Sequence, residues 1–112
     1  MRSDRERLED ILEMCSLLRE HVAGRTEELE SDPVLLAAAQ RWIEIIGEAA
    51  LGVSPGLRAS HPEIPWQEAI GTRNILAHGY FHLDLDILRE IVERDLAVLE
   101  QQLASIIEQL AE

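Results

Sequence analysis

The chain reads as an all-α protein, an up-and-down bundle of four to five helices forming one domain over residues 1–112. Three observations predict this. Apolar residues recur at alternating three- and four-residue steps, the period of a helix face. No segment alternates with the two-residue period of a strand. Glycine and proline gather between the periodic segments, where turns belong.

Ser3 and Glu6 are spaced as a capping box that opens the first helix. Its apolar stripe is Leu8, Ile11, Leu12, Cys15, Leu18 and Val22, and Gly24 loosens its end. After the acidic run Glu27-Glu28-Leu29-Glu30, Asp32-Pro33 restarts the chain as an N-cap acid followed by a first-turn proline. The second helix runs to about Leu51 and is apolar on more than one face, through Leu35, Leu36, Trp42, Ile43, Ile45 and Ile46. Such a helix is central in its bundle or shared with a partner, so a homodimer is expected. Gly47 would admit a close backbone neighbour. Residues 52–64, with Gly52, Pro55, Gly56 and Pro62, read as the main loop. Pro65 starts a short third helix through Trp66, Ile70 and Arg73 to about Ala77, and Gly79 stops it. Asp84 caps the last helix, whose stripe Leu88, Val92, Leu96, Leu99, Leu103, Ile106 and Leu110 suits bundle packing over roughly 40 Å.

All ten basic residues are arginines; against 22 acids they leave a net charge of −12. That excludes a protein that coats nucleic acid by charge alone. The acids crowd the two flanks, whereas residues 41–82 carry 3 arginines, 4 acids and three of the four histidines. Contact with nucleic acid should therefore be local, through a few aimed arginines. Cys15 is the sole cysteine and falls on an apolar stripe, which fits a reducing, cytoplasmic setting. The amino-terminal residues have no apolar run of a signal peptide, and no stretch approaches the roughly 20 apolar residues of a membrane span.

The run from Arg73 to Tyr80 is where chemistry concentrates. Arginine offers a permanent fork for phosphate, histidine a group suited to proton transfer near neutrality, and Tyr80 a hydroxyl. On an unbroken helix Arg73 and His78 would point about 140° apart, at 100° per residue. They converge most easily if the helix ends near Ala77 and Gly79 turns His78 back. In metal-free RNA cleavage a histidine takes the 2′-hydroxyl proton or protonates the leaving oxygen, and an arginine stabilises charge on the phosphate. The spacing alone fits equally an arginine paired with an acid such as Glu48 and a histidine that only caps a helix. Asn74 is a further candidate, to orient His78 or to cap the helix end. Glu44 and Glu48 share a helix face, and burying either unpaired is costly, so one should meet Arg41 or Arg73. His78 and His82 lack a third metal ligand, His21 and His61 read as surface residues, and Trp42 and Trp66 as core or interface anchors. No motif calls for a metal or another cofactor.

The run Ile64-Pro65-Trp66-x-x-x-Ile70-x-x-Arg73-Asn74-x-Leu76-x-His78-Gly79-Tyr80-Phe81 resembles the signature of the HepT-like family of HEPN-domain proteins, with Arg-x4-His-x-Tyr at its core. The second helix is similar to the family too, in Arg41-x-x-Glu44-Ile45-Ile46-Gly47-Glu48-Ala49. This resemblance implies a small helical bundle that dimerises and joins two Arg-His motifs around one cleft. It implies a metal-independent ribonuclease, the toxin of a toxin–antitoxin pair, whose substrate is RNA rather than DNA. Its antitoxin would be a small MNT-type nucleotidyltransferase that transfers AMP to the motif tyrosine. Carried over, Arg73 and His78 are catalytic and Tyr80 the AMP acceptor; Asn74 and Glu48 are expected from the residues themselves, as supporting groups. The competing expectation is a non-catalytic helical adaptor that regulates a nucleotidyltransferase, and the charge of −12 leans that way.

Overall fold

In the computed structural model the chain is described for residues 2–77 and 85–110, with side chains omitted at 72–77 and 87. Helix α1, Asp4–His21, opens on the expected capping box. The Ser3 hydroxyl accepts from the Glu6 amide at 3.1 Å, and the Glu6 carboxylate accepts from the Ser3 amide at 2.9 Å. Beyond the helix, Gly24 takes φ +79°, and nothing lies within 4 Å of where a Cβ would stand. Backbone conformation, not crowding, makes glycine the fitting residue there. The acidic run after it forms a 3₁₀ turn, Thr26–Glu30, which buries Leu29 and Thr26. The buried Thr26 hydroxyl donates to Glu93 at 2.8 Å.

Helix α2, Pro33–Gly52, starts where Asp32 accepts from the Val34 and Leu35 amides, both at 3.1 Å. It buries Leu35, Ala39, Ile43, Ile46, Gly47, Ala49 and Ala50, and packs against both α1 and the later helix that carries Arg73 and Asn74. Its remaining apolar faces are better covered than the sequence suggests. Leu36 packs against the core, Trp42 does so with the His21 ring over it, and on this helix Val34 and Leu51 are the large apolar residues left openly exposed.

Residues 52–64 are not all loop. Pro55–Ser60 form a short helix, α3, capped by Ser54, whose hydroxyl accepts from the Leu57 amide at 3.4 Å. The local signal is the one read at Asp32-Pro33, a capping side chain followed by proline. What secures so short a helix is tertiary. Asp4, at the start of α1, accepts from the Ser54 amide at 2.8 Å and from its hydroxyl at 2.6 Å. The Arg7 guanidinium occupies the place a Cβ on Gly52 would take, so a cation lies over the last turn of α2, the negative end of its dipole.

After α4, Trp66–Ala77, the carboxy-terminal stretch follows the expected stripe but not as one regular helix. Helix α5, Leu85–Glu90, passes through a π-helical turn, Ile91–Asp95, into α6, Leu96–Gln109. The spacing explains the turn. Leu88, Val92 and Leu96 are separated by two consecutive steps of four, each of which carries a regular helix about 40° past the previous residue. The wider i→i+5 turn, in which the Leu96 amide bonds the Ile91 carbonyl, absorbs that drift. All three side chains are buried as a result. The turn also brings Glu93 to Thr26. Among the described residues no strand occurs, and no helix is long and apolar enough to cross a membrane.

Candidate active site

Helix α4 carries Arg73 and Asn74 of the expected site, and its first turns are held by several bonds. Pro65 immediately precedes the helix, and its carbonyl accepts from the Ala69 amide at 3.2 Å. The Trp66 indole N–H donates to the His61 carbonyl at 3.0 Å, while the Ile64 amide reaches the same carbonyl at 3.2 Å. One oxygen thus uses both lone pairs to fix the entry to α4. Ile64, Trp66 and Ile70 are buried, and α4 packs more extensively on α2 than on any other element. Trp66 is thus a core residue. So is Trp42 in part, its ring 5.7 Å from that of the exposed His21. His61 departs from expectation, being half-buried, with its Nδ1 3.3 Å from Glu63.

Arg73 and Asn74 lie on α4, about two turns beyond Trp66, on the helix that Trp66 and Ile70 anchor. Their side chains, and His78, Gly79, Tyr80 and His82 altogether, lie outside the described residues. Asp84, expected to cap the last helix, lies outside them as well. Glu48 is described. It stands on the outer side of α2 with 43% of its side chain exposed, 3.6 Å from Arg41, which also pairs closely with Glu44. Arg41 thus meets both acids, and the three charges form a surface network, not a buried pair. Such pairs stabilise by less than about 1 kcal/mol each.

Cys15 is wholly buried. Loss of hydration, assisted by the nearby Glu100 carboxylate, pushes its thiol up to about 12. It is thus a packed side chain and no nucleophile. Among the described residues no group of three histidine, cysteine or acidic side chains is arranged to hold a metal ion.

One feature escaped sequence reasoning: an open groove of about 470 Å³ between the start of α4 and the helix that follows the π turn, floored by α2. The two consecutive four-residue steps signal the widened turn at its edge, but the groove itself follows from how three helices splay.

The family model described as ribonuclease HepT-like matches residues 11–106. A protein of Caldanaerobacter subterraneus subsp. tengcongensis, named as a candidate RNase, is 38% identical over 109 residues, covering 96% of this chain and 97% of that one. A Thermococcus cleftensis protein, named as a candidate ribonuclease HepT, is 36% identical, over 88% of this chain and 91% of its own. A longer Methanocaldococcus jannaschii protein, named as a gamma-glutamylcyclotransferase and candidate RNase, is 36% identical across 92% of this chain and 47% of itself. No solved structure gives a significant match.

Proposed function

The chain belongs to the ribonuclease HepT-like family, and from that premise we propose that it is a metal-independent endoribonuclease acting through Arg73 and His78. The observation that carries the proposal is the motif Arg73-x4-His78-x-Tyr80, whose Arg73 lies on the helix that Trp66 and Ile70 lock against α2. In this reading His78 takes the proton from a ribose 2′-hydroxyl, whose oxygen attacks the adjacent phosphorus. The bond from phosphorus to the 5′-oxygen breaks, and a proton delivered to that oxygen completes the step. A homodimer would supply a second His78 for that delivery. Arg73 holds the phosphate and stabilises the charge that builds on it. The products are a 2′,3′-cyclic phosphate and a 5′-hydroxyl. Asn74 orients His78, and Glu48 supports the site from α2 through Arg41.

The same proposal makes the protein a toxin controlled by an MNT-type nucleotidyltransferase. The partner would join AMP from ATP to the Tyr80 hydroxyl with release of pyrophosphate. A bulky anion two residues from His78 both fills the cleft and repels RNA phosphates. A Tyr80→Phe variant then keeps nuclease activity and escapes the partner; its full inhibition by partner and ATP would refute this account.

The charge of −12 favours a second reading, a non-catalytic adaptor that regulates a nucleotidyltransferase, because it slows the approach of RNA. Cleavage of total RNA in EDTA by the purified protein, after intact mass shows Tyr80 unmodified, separates the two. Activity that disappears in His78→Ala supports the nuclease. Inactivity of the unmodified protein supports the adaptor. Light scattering without a partner tests the homodimer.

A further inference from the structure

We infer that Arg58 is an accessory phosphate contact, holding the RNA strand beyond the bond that is cut; the inference rests on the nuclease reading. Residues 41–82 carry three arginines, Arg41, Arg58 and Arg73. Arg73 is assigned to the reacting phosphate, and Arg41 is already answered by Glu44 and Glu48. Six further described arginines pair with acids, and Arg7 lies over the end of α2. Arg58 is different. Among the described residues no side-chain hydrogen bond or ion pair reaches its guanidinium, whose Nε is buried without an acceptor. In a chain with 22 acids and ten arginines, a cation left unanswered is available to an anion from outside.

Local bonds set this residue in place before any ligand arrives. The Arg58 amide donates to the Ser54 carbonyl at 3.1 Å, and its carbonyl accepts from the His61 amide at 3.2 Å. The His61 carbonyl in turn holds the Trp66 indole, so a chain of bonds ties Arg58 to the entry of α4. With Nε withdrawn from water, the two terminal nitrogens are the free edge of the guanidinium, a fork that suits two oxygens of one phosphate. Arg58 lines an open hollow of about 540 Å³ with Pro62, Pro65, Trp66 and Gln67. Glu63 and Glu68 line it too, and their charge repels free anions, so the contact requires a strand already held at Arg73. From Gln67 to Arg73 helix α4 rises about 9 Å, which a helical strand covers in about three nucleotides.

The probe is a fluorescein-labelled 2′-O-methyl RNA of about 12 nucleotides, which lacks the attacking hydroxyl and is bound without being cut. Anisotropy titrations between about 25 and 200 mM KCl give the slope of log K against log[salt]. Arg58→Gln should weaken binding at least threefold at low salt and make the slope shallower by about 0.7, one phosphate contact on a single strand. Arg58→Lys, which keeps the charge, should restore the slope. Arg94→Gln, whose charge is exposed but paired with Glu90, should change the slope by less than about 0.2. Circular dichroism checks that each variant is folded; Arg58→Met, which keeps the buried stem, serves should Arg58→Gln unfold. Lost affinity with an unchanged slope, or no change in either, overturns the inference. Cleavage of ordinary RNA by the parent is measured beside it. A parent that neither binds nor cleaves ends the nuclease reading and this inference together. A parent that cleaves while Arg58→Gln binds as it does ends this inference alone.

Discussion

Replacing Trp66 by phenylalanine tests whether the entry to α4 is held as the structure indicates. Trp66 is 6% exposed and lines a small apolar void of about 20 Å³ where α1, α2, α4 and α6 meet. The substitution removes the indole N–H bonded to the His61 carbonyl at 3.0 Å. A net hydrogen bond is worth about 1 kcal/mol. Phenylalanine is smaller by about 40 Å³, which enlarges the void at a cost of about 1 kcal/mol at 24 cal/mol per Å³. The sum is about 2 kcal/mol, or a fall in melting temperature of about 8 °C for a domain of this size. Trp42 is the internal control. It is half-buried and meets the His21 ring, so Trp42→Phe should cost less than about 1 kcal/mol. With two tryptophans in the chain, each variant leaves a single emitter, and the one retaining Trp66 should fluoresce further to the blue. Thermal and urea unfolding of both variants measure the difference. A Trp66→Phe melting temperature within 2 °C of the parent, or an equal loss in Trp42→Phe, would refute the anchoring argument.

Thr26→Val keeps the shape of a buried side chain but removes the hydroxyl bonded to Glu93, and should cost about 1–2 kcal/mol by urea unfolding. Because the lost partner sits in the π turn, amide exchange over Ile91–Asp95 should accelerate; unchanged exchange there would separate the turn from the bond. Cys15 should resist iodoacetamide at pH 8 until the protein is unfolded, and rapid labelling of the native chain would contradict its burial. Its thiol is raised from 9.0 to about 12 on folding, so the native state holds its proton more tightly. The associated stability is fully present below pH 9 and is lost as pH rises through the window from 9 to 12. Glu48→Gln should shift the melting temperature by no more than 2–3 °C, because the network with Arg41 is exposed. A loss of RNA cleavage well beyond that shift would assign Glu48 to the site; unchanged cleavage would leave it structural.

Local chemistry determines much of this protein without reference to the fold. The Ser3–Glu6 box, the Asp32-Pro33 start and the three- and four-residue stripes place α1, α2 and the helix after Asp84, because caps and periodicity act between residues close in the chain. The Arg73-x4-His78-x-Tyr80 motif was legible for the same reason, as a pattern of residue types at short spacing. Contacts across the chain decided the rest. Helix α3 is secured by Asp4, fifty residues before Ser54. The two four-residue steps at Leu88, Val92 and Leu96 are visible in the sequence, but only a core that demands all three side chains turns them into a π turn. Arg41 answers Glu48, since both stand on one exposed face of α2. The groove has no local signal at all: its walls come from three helices distant in sequence, and its width is set by how far apart packing leaves them.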